Sequence, residues 1–589
     1  MSSTSHVSEI PKAYDPSGAE QDVTRRWNEA GMSAVSVDDA SSDQPAFSIV
    51  IPPPNVTAAL HLGHALNNAL QDVLIRYHRM LGDQTLWMPG TDHAGIATQT
   101  VVEKRLLADG IKRLEMGREA FVCKTQEWKD EYEAVIIEQL KAMGASCDWD
   151  RTRFTMDEMC VTAVRHAFFV LFRDGLIYRG KRLVNWDPAT RTALSDDEVE
   201  MEEVAGHMWY LRYPLSDGSG HVTVATTRPE TMLGDTAVAV NPNDPRAEAL
   251  RGKQVELPIV GRTIPIVEDD YVVMADPESG DAKAQYATGF LKVTPAHDPN
   301  DWDIGQRHDL PIVNVMGPDG SISADHGWDD VSGAARAFVG LSREEARQGI
   351  VEWFEANDLL AEVRDYQHSV GHSYRSHVPI EPWLSDQWYV AVTDDRLRGE
   401  ALRAQNPDQS PALPSDVPAR SDRQGDGGMT FHPDRYARTY HAWHEGIRDW
   451  CISRQLWWGH QIPVWVRTVD LGSGADSAVL AALDGAAVDE ARPVTSRWVS
   501  AGAAHLARKV TDHEVEEAVC VPPDPTLRRL ERADDEMDEA ALIAALEADG
   551  YSRDPDVLDT CFSSGLWPMS TMGWPWPEDY PETVGLLET

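Results

Sequence analysis

Residues 47 to 81 constrain the fold more than any other part of the chain. They begin with an apolar run at 47–51, whose length and β-branched residues predict a buried strand. Three prolines at 52–54 end that strand, because proline has no N–H to donate to a neighbouring strand. Apolar residues then recur at helical spacing, at Leu62, Leu66, Leu70, Leu74, Tyr77 and Leu81. A strand, a turn and a helix in this order indicate a parallel α/β unit that delivers ligand to a helix N-terminus.

Two histidines stand at the start of this predicted helix. His61 and His64 are one turn apart and therefore share a face, with Gly63 between them. Glycine lets a flat ring or a phosphate approach the backbone closely, and the helix N-terminus offers free N–H groups. The pattern predicts a cradle for a triphosphate; the alternative is a pair of helix-face histidines with no duty in catalysis.

The surrounding residues carry a resemblance. PPPNVTAALHLGHAL, from residue 52, looks like the first signature of the class I aminoacyl-tRNA synthetases. TDHAGIATQ, at 91–99, narrows the resemblance to the valyl-tRNA synthetases. It implies an α/β fold, a Rossmann-like parallel-sheet catalytic domain interrupted by a β-barrel-like editing domain. The expected division is a polar tail and first catalytic half in 1–200, the editing domain in 201–365, and the second half in 366–589.

The resemblance also implies roles for residues near this signature. His61 and His64 would stabilise charge on the phosphates, and a further group would contact ATP or the amino acid: Pro53, Asn55, Thr57, Gly63 and Asn67. A second strand is predicted at 85–90, and Asp92 and His93 follow it, where loops line the ligand crevice of an open sheet. A carboxylate there suits an ammonium group, and the family's matching aspartate holds the amino group of the amino acid. The alternative for Asp92 is a helix cap.

Short alternating runs begin near residue 206 and predict a small β-rich insertion; they are HMWYLRY, HVTVATT, TAVAV, YVVMA and FLKVT. The blocks at 226–244 and 291–305 resemble the family's editing domain. A hydrophobic valine pocket rejects isosteric threonine only weakly, the known reason why this family hydrolyses mischarged product at a second site. The matching residues are Arg228, Thr231, Lys292, Thr294, Asp298 and Asp301. Asp298 would anchor the aminoacyl ammonium, Asp301 and the threonines would recognise the threonyl side chain, and Arg228 and Lys292 suit the terminal adenosine and its phosphates. Without the resemblance, an Asp/Pro turn is the simpler reading of 295–301.

The second catalytic half contains another matching block, at 447–465, whose members would form one wall of the amino-acid and adenosine site: Arg454, Gln455, Trp457, Trp458 and His460. Two departures from the family are visible. Cys561 stands where a tryptophan usually follows VLDT, which would enlarge the valine pocket; a methylene or two is worth ~1–3 kcal/mol of discrimination. Residues 466–550 lack the cysteine-rich zinc knuckle of many members, and Ala/Asp/Glu-rich stretches there predict a helical, metal-free insertion.

Composition adds constraints of its own. The chain has 53 Lys and Arg against 96 Asp and Glu, a formal charge of −43, which by itself argues against nucleic acid and requires a local basic groove. Six scattered cysteines without a Cys-x-x-Cys pair disfavour disulfides and a structural zinc and fit the reduced cytoplasm. We find no signal-type segment and no run of 18 apolar residues, so the sequence predicts a soluble, cytoplasmic protein with no membrane partner.

The resemblance implies that valine and ATP, with Mg²⁺, form valyl-adenylate, that the valyl group passes to tRNA(Val), and that mischarged Thr-tRNA(Val) is hydrolysed. We expect a monomer. No Lys-Met-Ser-Lys-Ser loop occurs, so the sequence predicts a fragment, a truncated product or half of a split enzyme. Three alternatives stay open: an isoleucyl or leucyl relative, a chain that acts only as an editing deacylase, and a tRNA-binding fragment without activity.

Overall fold

The computed structural model describes residues 16–35, 45–331, 333–409, 411–418, 428–470, 505–510, 514–527 and 538–580. Most of the predicted N-terminal tail, part of the loop at 404–430 and much of the insertion at 466–550 lie outside these ranges. The chain forms two compact units. The first contains Met1–Gly175 with Leu456–Thr589, and the second contains Leu176–Gln455.

The strands in chain order are β1 (Ala46–Val50), β2 (Gln84–Met88), β3 (Gly90–Thr91), β4 (Arg153–Phe154), β5 (Ile177–Asp187), β6 (Thr192–Leu194), β7 (Val199–Pro214), β8 (His221–Thr226), β9 (Ala237–Val240), β10 (Gln254–Glu256), β11 (Thr263–Glu268), β12 (Phe290–Val293), β13 (Leu360–Ser373), β14 (Glu381–Val390), β15 (Trp450–Cys451), β16 (Ser453–Arg454), β17 (Val464–Asp470), β18 (His505–Val510), β19 (Glu514–Cys520), β20 (Ser552–Arg553) and β21 (Val557–Leu558).

The α-helices are α1 (Pro16–Glu29), α2 (Leu62–Leu81), α3 (Gly95–Ala108), α4 (Arg113–Met116), α5 (Arg118–Ala142), α6 (Glu158–Arg173), α7 (Ala247–Leu250), α8 (Ala282–Tyr286), α9 (Pro299–Arg307), α10 (Arg343–Ala356), α11 (Glu400–Arg403), α12 (Arg435–Glu445), α13 (Asp524–Leu527), α14 (Glu539–Ala548), α15 (Thr560–Ser564) and α16 (Trp567–Ser570). Short 3₁₀ helices occupy Trp149–Arg151, Asp196–Glu198, Pro229–Gly234, Gly333–Phe338 and Pro577–Asp579, and a π-helix occupies Asp395–Gly399.

The first unit contains the parallel strand–helix–strand arrangement predicted for its beginning. β1 pairs in parallel with β2, from Ala46 opposite Gln84 to Val50 opposite Met88, and α2 makes the crossover between them. The edge continues beyond the prolines, where a parallel bridge joins Asn55 to Asp92, and β3 then pairs in parallel with β4. These bridges bring the turn before α2 beside the residues that follow β2.

The apolar repeat of α2 predicted the helix but lies on its exposed side. Leu62, Leu66, Leu70, Leu74, Tyr77 and Leu81 are all exposed, from 48% for Leu74 to 89% for Leu62. The buried residues of α2 are Ile75 and Asn68. Ile75 belongs to a core cluster with Ile51, Trp87 and Leu140. An apolar stripe usually marks the helix face that packs on the core. In α2 the stripe is exposed instead, and Ile75, on another face, packs on the core.

The second unit is built from antiparallel ribbons. β13, β7 and β8 form one sheet, and β7 pairs with β13 along nearly its whole length. A mixed sheet has the order β10–β11–β9–β12, in which β9 is parallel to β11 and antiparallel to β12. A third sheet joins β15, β14, β5 and β6. The core contains the inward side chains of these sheets together with residues of α10 such as Ile350 and Phe354.

Four of the five alternating runs predicted as strands lie in β7, β8, β9 and β12, but YVVMA, at 271–275, is not a strand. The reason is Asp269, whose carboxylate accepts the N–H of Tyr271 and also contacts Arg307 and His308. Its carbonyl accepts the N–H of Val272, and the chain turns instead of extending.

The insertion at 466–550 also differs from its prediction. Its predicted helix is present as α14, but the described residues 505–510 and 514–520 form the antiparallel strands β18 and β19 beside β17. Across the described ranges, no helix is both long and apolar enough to cross a membrane.

Candidate functional site

His61 and His64 cap the N-terminus of α2 reciprocally. His61 is the N-cap residue, and its Nδ1 accepts the N–H of Gly63 at 3.0 Å. The Nδ1 of His64 accepts the N–H of His61 at 3.2 Å, and the two rings lie 3.9 Å apart. Two of the free N–H groups at this helix end are thereby satisfied. The capping contacts give these histidines a structural role that the sequence did not predict.

The caps determine what the rings offer to a ligand. Because both Nδ1 atoms accept hydrogen bonds, each neutral ring carries its proton on Nε2 and presents an N–H donor there. Partial burial, and then the neighbouring His61, lower the pKa of His64, which favours this neutral form. The structure adds a second reason for Gly63, because a Cβ there would lie 2.9 Å from Cε1 of His61; close approach of a ligand stays a prediction. Two N–H donors at the positive end of a helix form a site suited to an anion.

The other predicted ATP-contacting residues surround this helix end. Pro53 and Thr57 are partly exposed and Asn55 is exposed in the turn before α2. The turn is held to the next loop, because the N–H of Asp92 donates to Pro54 O and the N–H of Val56 donates to Asp92 O. Asn67 lies on the exposed side of α2, where its Oδ1 accepts from Gln71 Nε2 at 2.8 Å.

Asp92 is a buried carboxylate at the end of this parallel edge. Its Oδ1 accepts the N–H of Ala94 at 2.6 Å, and its Oδ2 accepts the hydroxyl of Ser564. Burial raises the pKa of Asp92, an effect that the bonds from Ser564 and Ala94 oppose. Ala94, with φ of 50°, occupies the N-cap position of α3, so Asp92 braces the turn two residues before the cap. The capping alternative is thus partly correct, because Asp92 braces the turn although the N-cap position itself, Ala94, has no side-chain bond; the contact with an ammonium group stays a prediction.

Trp457, Trp458 and His460 pack against the same loop. Gln99 Oε1 accepts the backbone N–H groups of both tryptophans, at 2.9 Å for Trp457 and 3.1 Å for Trp458. Trp458 is buried, and its Nε1 donates to His93 O at 2.8 Å. Trp457 stacks edge-on with Phe121 and lies under the guanidinium of Arg113. The structure therefore unites these three predicted residues with Asp92 and His93 in the first unit.

His93 and His460 are buried neutral histidines. His460 Nε2 donates to Thr155 O at 2.8 Å, and His93 Nδ1 lies 2.7 Å from Thr155 Oγ1. Burial lowers the pKa of each to about 3, and the rings meet edge to face at 5.1 Å. Neither histidine is placed to carry a charge near neutral pH. Thr155 organises both, although its isolated position in the sequence gave no signal.

Cys561 lies at the beginning of α15, close in sequence to the residue that contacts Asp92. Asp559 caps α15 and accepts the N–H of Cys561 at 2.7 Å, and Cys561 is exposed and not in a disulfide. Ser564, at the end of the same helix, donates to Asp92. Trp567 follows, buried, with its Nε1 donating to Ile51 O at 2.9 Å. A Cβ on Gly90 would collide with the Trp567 ring at 2.4 Å, so this strand accepts only glycine there.

Arg454 and Gln455 belong to the second unit. Arg454 is buried, and its guanidinium donates to Cys451 O, Ser453 O and the carboxylate of Glu198. Gln455 accepts from Ala193 N at 2.9 Å and donates to Gln387 Oε1 at 2.9 Å. These contacts give both residues structural roles in the unit that holds the predicted editing residues.

Arg228 is part of an ion cluster formed by Arg228, Glu230, Arg343, Arg347 and Glu381, in which the two glutamates and Arg343 are buried and the side chains of Arg228 and Arg347 are 28% and 33% exposed. Arg228 Nε donates to Glu230 at 3.0 Å, and another of its nitrogens donates to Glu381, which also accepts from Arg343. Arg347 donates to both oxygens of Glu230, at 2.8 Å and 2.9 Å. Burial alone raises the pKa of Glu230, but the bonds and charges of Arg347 and Arg228 bring it down to about 2. The Arg228 guanidinium thus stabilises two buried carboxylates, whereas the sequence predicted a contact with RNA.

Lys292 lies in β12 and Thr294 directly follows that strand. Both contact Asp235, which the sequence did not indicate as a site residue. Lys292 Nζ donates to Thr294 Oγ1 at 2.5 Å and to Asp235 Oδ1 at 3.2 Å. The Thr294 hydroxyl donates to the same oxygen of Asp235 at 2.6 Å, and Tyr213 donates to the other at 2.8 Å. Thr294 and Asp235 have no exposed surface, while Lys292 keeps 7%. The only signal for Asp235 was its place inside the block at 226–244.

Asp298 and Asp301 stand at the start of α9. Asp298 is its N-cap and accepts the N–H groups of Asn300 and Asp301, so the predicted Asp/Pro turn exists as a helix cap with Pro299 following. Asp301 is buried and accepts the N–H of Thr294 at 2.8 Å; burial, opposed by Lys292, raises its pKa to about 7. Thr231 is buried and donates to Arg228 O at 3.1 Å. All six predicted editing residues lie in the second unit, and the structure links Thr294 with both Lys292 and Asp301.

No group of three or more His, Cys, Asp or Glu side chains is arranged to hold a metal ion within the described ranges.

Comparison with known proteins identifies the family. The model of the family described as tRNA synthetases class I (I, L, M and V) matches residues 22–474 and 507–584. A valine–tRNA ligase of Synechocystis is 44% identical over 571 residues, which are 96% of this chain and 52% of the relative. That of Fusobacterium nucleatum is 42% identical over 569 residues, 97% of this chain and 53% of the relative. The chain thus spans about half the length of the curated relatives it matches.

A solved LeuRS–tRNA–LeuAMS complex from Agrobacterium radiobacter aligns with 95% of this chain and 60% of its own, at 16% identity and a TM-score of 0.36. The family match confirms the predicted fold class, and the resemblance found in the signatures is confirmed with it. This chain belongs to the class I tRNA synthetases of the I, L, M and V group.

Proposed function

We propose that this chain carries the activation and editing sites of a valine–tRNA ligase. It forms valyl-adenylate from valine and ATP, transfers the valyl group to tRNA(Val), and hydrolyses threonine mischarged on that tRNA. The names of its relatives, valine–tRNA ligases at 42–44% identity, support the choice of valine. We place the chain in the cytoplasm as a monomer, with ATP entering as its Mg²⁺ complex.

One observation carries the activation site. A parallel bridge between Asn55 and Asp92 joins the turn before α2 to the loop that carries the buried Asp92 carboxylate. The turn leads directly to His61 and His64, whose Nε2–H groups are the donors at the start of α2. Two substrates that meet here, one with an anionic phosphate chain and the other with an ammonium group, match this pair of groups. His61 and His64 would stabilise the charge that develops on the phosphates when the valine carboxylate attacks the α-phosphate.

Asp92 would bind the ammonium group of valine. A cation beside this carboxylate favours its ionised form, which burial disfavours, so binding of the amino acid and ionisation of Asp92 support each other. Trp457, Trp458 and His460, held by Gln99 and Thr155, would form the adjoining wall. Cys561 at the start of α15 would leave the valine pocket wider than a tryptophan would.

The editing site would use the groups around Lys292. Asp298, partly exposed at the start of α9, would bind the ammonium of the misplaced amino acid, and the buried Asp301 lies beside it. Lys292 would face the terminal nucleotide. Hydrolysis adds water across the ester between threonine and the terminal ribose and gives free threonine and tRNA(Val).

A second candidate is hydrolysis of mischarged tRNA without activation. It is favoured by one observation, that all six predicted editing residues lie within the compact unit Leu176–Gln455. A unit with its own core can support a site independently.

The test is valine-dependent ATP–pyrophosphate exchange on the 589-residue chain, with isoleucine and threonine as competitors. We expect exchange with valine, and at least a ~10-fold loss in Asp92→Asn, which keeps the shape of the side chain and removes its charge. Asp298→Asn, which remains a good N-cap, should slow hydrolysis of threonyl-tRNA and leave exchange intact. Exchange absent with hydrolysis present would favour the second candidate, and loss of both would contradict the two proposals together.

A further inference from the structure

The ammonium group of Lys292 is held in a buried position by one carboxylate. Asp235 follows the 3₁₀ helix Pro229–Gly234 and has no exposed surface. Its two oxygens accept hydrogen bonds from three side chains: Lys292, Thr294 and Tyr213. Of these only Lys292 carries a positive charge, and its ion pair with Asp235, at 3.2 Å, opposes the rise that burial causes in the pKa of Asp235.

Thr294 cannot serve as a free hydroxyl in this arrangement. Its proton is donated to Asp235, its oxygen accepts from Lys292, and its backbone N–H donates to Asp301. Thr294 has no exposed surface, and its two bonds connect the Lys292 ammonium with the Asp301 carboxyl. The side chains of the group that keep exposed surface are Lys292, at 7%, and Asp301, at 6%.

We infer that Asp235 is a positioning residue of the editing site, which keeps Lys292 charged and fixed beside Asp301. The inference rests on the proposed editing function and names a residue beyond the six predicted for it. A buried ammonium is stable only when it is paired, and a buried pair that loses one partner leaves an uncompensated charge. Asp235 therefore acts on the substrate only through Lys292 and Thr294.

The charged and titratable groups around Lys292 come from several elements. Asp235 lies just before β9, and Tyr213, on β7, donates to it. Asp298 and Asp301 lie at the start of α9, and His297 lies in the segment between β12 and α9. Burial, and the charges of Arg228 and Lys292, lower the pKa of His297 to about 3, so it stays neutral. Burial raises the pKa of Asp301 to about 7, and the charges of Lys292 and Asp235 also act on this carboxyl. A pH dependence in Asp235→Asn is therefore assigned to Lys292 only if it disappears when Lys292→Arg is added.

The distinguishing readout is a pH profile. In Asp235→Asn the amide keeps the shape and an acceptor oxygen but removes the charge that pairs with Lys292. The buried ammonium then lacks its ion-pair partner, and burial disfavours an unpaired ammonium more strongly as the pH rises. A residue with a merely structural role would instead lower the rate by the same factor at every pH.

The experiment measures threonyl-tRNA hydrolysis from pH 6 to 8.5 on the full chain. We expect Asp235→Asn to lie within ~3-fold of the wild type at pH 6 and more than ~10-fold below it at pH 8.5, a difference of about 1.4 kcal/mol in barrier. Adding Lys292→Arg, whose guanidinium stays charged, should flatten the profile. The control is Asp244→Asn, another buried aspartate of this unit, which pairs with Arg246 and should match the wild type throughout.

The outcomes separate the inference from the proposed function. A constant ratio of Asp235→Asn to wild type across the pH range overturns the inference and leaves the editing proposal standing. A wild type without hydrolysis at any pH overturns both. If Asp235→Asn does not fold, Lys292→Gln decides: the inference expects a loss of more than ~10-fold at every pH, and a full rate in that variant overturns it.

Discussion

The Nδ1 atom of His64 accepts the backbone N–H of His61, while His61 caps the same helix end through Gly63. Each ring therefore uses one nitrogen for the structure of α2 and leaves the other for a ligand. A substitution to alanine would remove both functions at once and could not tell them apart. Asparagine and glutamine can, since the asparagine oxygen replaces Nδ1 and the glutamine amide replaces Nε2.

We predict that His61→Asn keeps the cap and loses catalysis. Asparagine is a preferred N-cap, so the urea midpoint of the variant should stay close to that of the wild type. The Nε2–H donor is gone, and valine-dependent ATP–pyrophosphate exchange should fall at least ~10-fold, or about 1.4 kcal/mol of barrier. His61→Gln is the matched control, with a donor retained and the cap weakened. Undiminished exchange in His61→Asn would show that this histidine only caps the helix.

The sequence predicted the first unit well where local rules decide the structure. The strand before the prolines, α2 and the strand at 84–88 all follow from apolar runs and proline chemistry, and each was expected within one or two residues. The periodicity of α2 could not reveal which face is buried, because burial depends on the neighbours of the helix. Ile75 alone among its large apolar residues reaches the core, and no sequence pattern distinguished it from Leu74.

Stability should follow the observed burial of α2. Ile75→Ala should cost ~2–5 kcal/mol of unfolding free energy, because it opens a cavity beside Trp87 and Leu140. Leu70→Ala, on the same helix but 61% exposed, should change the free energy by ~0.5 kcal/mol or less. Urea unfolding of the two variants under one set of conditions provides the comparison. Similar losses in both would mean that the Leu70 face is covered in solution.

The second unit shows what a resemblance alone does not provide. Its motif residues were found, but their partners lie far away in the sequence: Glu381 is distant from Arg228, and Asp235 from Lys292. Asp235 lies within the block at 226–244 but gave no signal of its own, since an aspartate beside a glycine is typical of a turn. Ser564 and Thr155 were missed because they meet Asp92, His93 and His460 only in the folded chain.

Arg228→Ala should destabilise the second unit. The change removes charge-assisted hydrogen bonds to Glu230 and Glu381. Arg347 and Arg343 still pair with these two carboxylates, so we expect a loss of ~1.5–3 kcal/mol. Arg228→Lys keeps the positive charge but not the planar guanidinium that donates to two carboxylates, so it should lose less unfolding free energy than Arg228→Ala. Thermal unfolding gives the stability, and threonyl-tRNA hydrolysis below the transition gives the activity. An unchanged transition with hydrolysis abolished would instead support the contact with RNA that the sequence predicted.

The first unit should lose stability in acid through its buried histidines. Burial lowers the pKa of His460 from 6.5 to about 3, so the folded chain keeps the ring neutral while the unfolded chain takes up a proton below its ordinary pKa. The stability contributed is fully present above pH 6.5 and is lost as the pH falls towards 3. At about 1.4 kcal/mol for each pH unit, His460 costs roughly 2 kcal/mol at pH 5.

His460→Gln should remove this loss. The glutamine amide can still donate to Thr155 O, as His460 Nε2 does at 2.8 Å, but it takes up no proton. Relative to the wild type, the variant should therefore be more stable at pH 5 than at pH 8, by roughly 2 kcal/mol in urea unfolding. His221→Gln, at an exposed position on β8, serves as the control. A difference between variant and wild type that is the same at both pH values would show that His460 takes up a proton as readily in the folded chain as in the unfolded one, contrary to its burial against His93.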